Sequence, residues 1–162
     1  MGLHLRRLAA RGLHIGDTFV IKRTFTQEET EGFGDLTKDY NPVHYDLEWA
    51  EAKGMDGLIC HGLLVGGMIC EFGGQVGWLA SGMDFKFIKP VYFNDTIECR
   101  ISLTKLDEKG RAEAEGQFFN QHGVQVAWVC LRGRLPVNGE KEMLNRMMAG
   151  DLFNGLADRP DR

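Results

Sequence analysis

The clearest pattern in the chain is a strict alternation between Ile97 and Thr104. Ile97, Cys99, Ile101 and Leu103 are apolar, and Glu98, Arg100, Ser102 and Thr104 between them are polar. Successive side chains of a strand point to opposite faces, so this run predicts a strand with one buried face. The next run repeats the pattern. Ala112, Ala114, Gly116 and Phe118 oppose Arg111, Glu113, Glu115 and Gln117. Asp107 to Gly110 reads as the hairpin turn between them. A second turn, Asn120 to Gly123, leads into a last strand over 124–135. Shorter alternations predict strands over 17–25, through Phe19 and Ile21, and over 83–87, through Met83, Phe85 and Phe87.

Elsewhere the period lengthens. Thr26-Gln27-Glu28-Glu29 is a capping box and predicts a helix start, with Phe33 and Leu36 on its apolar side. Pro42 ends that path, because the residue before a proline avoids helical geometry. Asp46 caps a short helix through Trp49 and Ala52, stopped by Gly54. From His61 to Ala80 the apolar residues, among them Leu63, Leu64, Val65, Ile69, Phe72 and Val76, cover most of a helical circumference. One long helix, buried nearly all round, is expected there. A basic helix is expected at the N-terminus, and another over 140–149 with Met143, Leu144, Met147 and Met148 on one side. The last dozen residues are polar and expected to be loose. Helices followed by a run of antiparallel strands imply an α+β fold, its curved sheet wrapped around a central helix.

Composition narrows the class. A chain of 162 residues fits one domain. The net charge of -4 argues against a nucleic-acid binder. Cys60, Cys70, Cys99 and Cys130 form no C-x-x-C pair and sit in apolar stretches, so they read as free thiols in a reducing compartment. The uncharged stretch from His61 to Cys70 is too short to span a bilayer. A cytoplasmic protein is expected. The alternative is an organelle matrix, suggested by Arg6, Arg7 and Arg11 in a start free of acid. Glycine is abundant, at 21 residues. Gly62, Gly66, Gly67, Gly73, Gly74 and Gly77 fall in the long helix, where they make sense if a sheet wraps it closely. Gly54, Gly110 and Gly123 read as turn or cap residues.

Two stretches carry candidate chemistry. Asp39-Tyr40-Asn41-Pro42-Val43-His44 holds an acid, an amide, a rigid turn and an imidazole. Asp and His can divide acid and base work near neutrality. The competing explanation is an Asx turn, with Asp39 and Asn41 bonding local backbone. Ile59-Cys60-His61-Gly62-Leu63-Leu64 marks a helix start, whose unpaired N–H groups could meet a developing oxyanion while Gly62 lets a carbonyl approach. The competing explanation is a glycine kept for packing.

Together these motifs resemble the hydratase-2 signature of the MaoC-like dehydratase family. D-Y-N-P-V-H is followed after five residues by Ala50, and then by I-C-H-G-L-L. F-T-Q-E-E before them and F-I-K-P-V-Y-F-N-D-T-I after them are also similar. The resemblance covers about residues 13–136 and leaves 1–12 as an N-terminal extension and 137–162 as a C-terminal helix and tail. It implies a hot-dog fold and (R)-specific hydration of enoyl thioesters, or the reverse dehydration. Asp39 and His44 would be the catalytic pair and Asn41 would orient them or the water. The Gly62 N–H would hold the thioester oxygen, and Tyr40, Leu63 and Leu64 would contact substrate. No metal or redox cofactor is implied. CoA or the phosphopantetheine of an acyl carrier is part of the substrate, and a homodimer is expected. Lys38 departs from the family, where glycine is common before the aspartate.

Two alternatives stand beside this one. Glu71, within the long helix, could make the chain a hot-dog thioesterase, or the chain could be a non-catalytic acyl-thioester-binding subunit. His61 reads as a hydrogen-bond partner at the helix start rather than as a base.

Overall fold

A computed structural model describes residues 2–149 of the chain, with side chains from residue 5 to residue 147. Helix α1 (Gly2–Arg11) precedes strand β1 (Thr18–Thr24) and helix α2 (Gln27–Thr37). A 3₁₀ turn (Pro42–His44) and helix α3 (Leu47–Ala52) follow. Helices α4 (Gly62–Gly66) and α5 (Met68–Val76) lead into β2 (Leu79–Phe87), β3 (Thr96–Leu106), β4 (Arg111–Phe119), β5 (Gln125–Arg134) and helix α6 (Gly139–Ala149). The strands form one sheet in the order β1-β3-β4-β5-β2, antiparallel throughout.

The expected α+β architecture is present, and the alternation explains it. Cys99 of β3 lies opposite Ile21 of β1 and Phe118 of β4, and all three are buried. The apolar face of the sheet closes over α4 and α5. Val65, Met68, Ile69, Phe72 and Val76 meet it there, and the Phe72 ring lies 5.1 Å from that of Phe19. Each such side chain contributes about 1.5–3 kcal/mol when fully buried.

The helix expected over His61 to Ala80 is instead two helices, and it ends at Val76. The break falls at Gly67. Its N–H donates to the Leu63 carbonyl, and its own carbonyl accepts from the Cys70 N–H, each at 2.9 Å. The end falls at Gly77, whose φ of 72° is the left-handed cap that glycine adopts at least cost. Leu79 and Ala80 then belong to β2. Burial all round is also not observed. Leu63, Cys70, Glu71 and Gly74 are exposed, because the sheet covers one side of the helices only. β2 is an edge strand, and its Leu79, Met83 and Phe87 are exposed as well.

Close packing under β2 accounts for two of the glycines. A Cβ on Gly66 would lie 2.8 Å from the Phe85 ring, and one on Gly62 would lie 3.0 Å from Phe87. The rings of Phe85 and Phe87 stack on each other over this glycine face.

Helices α1 and α6 pack on the body. Leu5 and Ala9 of α1 join the core. Arg6 donates to the carbonyls of Gly74 (3.1 Å) and Gln75 (3.4 Å), groups that the end of α5 would leave unpaired. On α6, Leu144 packs against the core and Glu140 pairs with Arg134 at 2.9 Å. The Met148 side chain and the last dozen residues lie outside the described residues. Among the described residues, no helix is long and apolar enough to cross a membrane.

Candidate active site

The site is built where α2 hands the chain to the 3₁₀ turn. The capping box forms as expected, with Glu29 N–H on the Thr26 hydroxyl and Thr26 N–H on the Glu29 carboxylate. At its other end α2 stops on Lys38, which takes the left-handed conformation (φ 62°, ψ 25°). That conformation costs an L-residue with a Cβ about 1–2 kcal/mol. Glycine would adopt it at least cost, so the lysine here carries a strain that glycine would not. Asn41 then caps the 3₁₀ turn, its amide oxygen accepting from the Val43 N–H at 3.4 Å. The Asp39 carboxylate accepts from the Asn41 N–H at 3.3 Å. The Asx geometry is therefore real, and the same turn carries both Asp39 and His44. Asp46 caps α3 through the Trp49 N–H, as expected.

His44 leaves this turn buried. Its Nδ1 lies 2.8 Å from the Ile59 carbonyl. A carbonyl only accepts, so Nδ1 carries the proton and Nε2 keeps a free lone pair. Burial pushes the His44 pKa below its ordinary value. The Ile59 carbonyl and the Asp39 charge oppose that shift without overcoming it. His44 thus favours the neutral ring, and its Nε2 has no hydrogen-bond partner among the described residues.

His61 stacks directly on it. The ring centroids are 3.7 Å apart and the planes differ by 27°. The Nε2 of His61 lies 2.9 Å from the Asp39 main-chain carbonyl and 3.9 Å from its carboxylate. One ligand atom from each of Asp39, His44 and His61 lies within 4.8 Å of the others. The residue types could ligate a transition metal, but the Nδ1 of His44 and the Nε2 of His61 are already taken up by the Ile59 and Asp39 carbonyls.

Asp39, His44, His61, Gly62 and Leu63 line one cavity of about 470 Å³. Its remaining wall is mostly apolar and includes Phe33, Ile59, Val65, Phe87 and Val126. Cys60 also lines it, but burial pushes that thiol up to about 11, so it stays protonated. The other expected residues fall elsewhere. The Tyr40 hydroxyl donates to Asp35 at 3.1 Å, outside the cavity. Asn41 spends its side chain on the turn, and Leu64 packs against the core. Glu71 is exposed on α5 and does not line this cavity.

His61 is legible in the sequence only as a hydrogen-bond partner, and the carbonyl it serves lies 22 positions earlier. The cavity wall from β5 carries no chemical motif at all. Its sole signal is that Val126 and Ala127 are neighbours that break the alternation.

Residues 14–124 match the family model described as a MaoC-like domain. The chain is 26% identical over 121 residues to an (R)-specific enoyl-CoA hydratase of Aeromonas caviae, covering 72% of this chain and 90% of that one. It is 27% identical over 135 residues to the mitochondrial 3-hydroxyacyl-acyl-carrier-protein dehydratase FERN of Solanum lycopersicum, covering 79% and 74%. The solved structure of the A. caviae (R)-hydratase involved in PHA biosynthesis superposes with a TM-score of 0.72 at 26% identity, covering 78% of this chain and 99% of that one. The sheet closed over α4 and α5 is the hot-dog fold.

Proposed function

The chain belongs to the MaoC-like dehydratase family, and on that premise we propose that it is a hydro-lyase interconverting trans-2-enoyl and (R)-3-hydroxyacyl thioesters. The observation that carries this reading is the pairing of an Asp39 carboxylate with a bare His44 Nε2 at an apolar cavity. A carboxylate oxygen of Asp39 and a ring nitrogen of His44 lie within 4.8 Å of each other. A water accepting or donating at about 2.8 Å on each side spans such a gap.

In the hydration direction, Asp39 and His44 hold the two O–H groups of that water. One of them takes a proton as the oxygen bonds C3. The C2=C3 electron pair moves toward the thioester carbonyl, whose oxygen gains enolate charge. The Gly62 N–H, at the start of α4, meets that oxygen. The site then returns one proton to C2, so that water is added overall. The thioester supplies the electron sink, so no redox cofactor or metal enters the balance. CoA or carrier phosphopantetheine arrives as part of the substrate. Leu63 and the apolar wall receive the acyl chain.

Two copies pair in this reading. Leu63, Leu79, Met83, Phe87 and Ile88 leave an apolar strip along the β2 edge, and a second copy would cover it. A particle mass in solution matching one chain would contradict that part. The thioesterase alternative loses support, because Glu71 stands away from the cavity.

Turnover of a short trans-2-enoyl-CoA, followed by loss of the conjugated absorbance, tests the assignment. Asp39→Asn and His44→Gln should each lower the rate by about 10²–10⁴-fold. Full rate in both variants would sink it.

A further inference from the structure

We propose that His61 is a positioning residue for the Asp39/His44 pair and acts, with Tyr45, through the main-chain carbonyl of Asp39. The inference rests on the acid–base reading above and adds residues that reading does not use.

His61 occupies the N-cap of α4, a place where a side chain ordinarily accepts from the first helical N–H groups. It makes no such bond. Its ring is 2% exposed and is turned back toward Asp39, lodged among Phe33 (5.3 Å), Tyr45 (6.2 Å) and His44 (3.7 Å). The Asp39 carbonyl can only accept, so the bond at 2.9 Å places a proton on His61 Nε2. Nδ1 is buried and has no hydrogen-bond partner among the described residues. His61 therefore cannot take a proton from water through Nε2, which is already protonated. What it can do is hold.

The object it holds is under strain. Lys38, immediately before Asp39, is left-handed at φ 62°, and such a residue persists where its surroundings over-determine it. Two donors converge on the next carbonyl: His61 Nε2–H, and the Tyr45 hydroxyl at 3.4 Å. Burial and the carboxylates of Asp35 and Asp39 push the Tyr45 pKa up, so it keeps the proton it donates. Gly34 of α2 opens the seat for this arrangement. A Cβ there would overlap the Tyr45 hydroxyl and lie 3.2 Å from the Asp39 carbonyl. The same His61 ring lies flat on His44. One side chain thus fixes the backbone that carries the acid and the plane of the base.

The test separates holding from packing. His61→Phe keeps an aromatic ring for the stack and removes the donor. His61→Gln keeps a donor and removes the ring. With enoyl-CoA as substrate, His61→Phe should lower kcat about tenfold or more, with KM changed less than about threefold, the mark of lost orientation rather than lost binding. His61→Gln should recover part of kcat. Tyr45→Phe, at a half-exposed position, should lower kcat by a smaller factor of about three, as the loss of the longer of two bonds to one acceptor. That factor should shrink when Lys38→Gly removes the left-handed cost. Wild-type kcat in both His61→Phe and Tyr45→Phe would overturn the proposal. So would a Tyr45→Phe loss of equal size with and without Lys38→Gly, or a His61→Gln loss equal to that of His61→Phe at unchanged melting temperature. Should His61→Phe not fold, the cycle of Tyr45→Phe with Lys38→Gly decides alone. Full activity in Asp39→Asn and His44→Gln would remove the acid–base reading itself. Full activity in Tyr45→Phe and His61→Phe beside dead Asp39→Asn would remove only the positioning role.

Discussion

The β3–β4 hairpin and the segment from Lys38 to Gly62 are held by opposite means. In the hairpin, every second residue is buried and the partners are many, so Cys99, Ile101, Leu103, Ala114 and Phe118 share the load. In the site segment a few particular bonds do the holding: Nδ1 of His44 on Ile59, and Nε2 of His61 on Asp39. That segment also contains a left-handed lysine and a buried nitrogen without a partner among the described residues. The difference teaches where each kind of substitution will be felt. Changes in the hairpin should cost stability and spare turnover. Changes in the site segment should cost turnover at nearly constant stability.

Phe118→Ala should sharpen the contrast most. Phe118 is fully buried between sheet and helices, and truncation of such a ring costs about 3–5 kcal/mol. Denaturant unfolding should show that loss, while the rate per folded molecule stays near wild type. A large kcat loss in the folded fraction would break the comparison. Gly66→Leu comes next. Its Cβ would meet Phe85 at 2.8 Å, and overpacking of this kind costs about 1–3 kcal/mol. A melting temperature equal to wild type would mean that β2 is free to move away from α4.

Acid provides a smaller effect that belongs to the site. Burial holds His44 below its ordinary 6.5. As pH falls below 6.5, the unfolded chain binds a proton that the folded chain resists, so stability falls until the folded imidazole titrates too. His44→Gln should remove this slope from unfolding curves measured across that range. For the same reason the acidic limb of kcat/KM should lie below 6.5, and a limb above it would contradict the burial argument. The smallest change expected is Gly123→Ala. Gly123 has φ +75° with nothing among the described residues within 4 Å of its would-be Cβ, so only about 1–2 kcal/mol of turn strain is lost. Gly110, which reads from the sequence as the same kind of turn glycine, is not equivalent. A Cβ there would also lie 2.5 Å from the Leu135 carbonyl.

The same division governs what can be read from the sequence. The β3 and β4 strands, the capping box at Thr26 and the Asp46 cap are legible because their causes lie within a few residues. The Asp39/His44 pair is legible because one turn holds both. The helix over 61–80 is misjudged in length and burial because apolar residues outweigh Gly67 and Gly77 in the pattern. Its exposed side also reflects what the sheet leaves uncovered, which no local period reports. Tyr40 looks like a substrate contact from its place in the motif, yet its hydroxyl reaches back to Asp35. The link from His61 to Asp39 joins distant positions through a main-chain carbonyl. A carbonyl carries no side-chain identity, so no motif can signal it.

The cysteines, set out first as ordinary apolar residues, form a graded series of thiols. Burial pushes Cys99 to about 12 and Cys60 to about 11, Cys130 is half-buried, and Cys70 is exposed. An alkylating reagent at neutral pH will therefore meet Cys70 first, since thiolate fraction and access both set the rate. Cys70 sits on the uncovered side of α5, so its labelling rate becomes a clock for that surface. A rate that slows as protein concentration rises would time the arrival of a second copy, without disturbing any residue of the site.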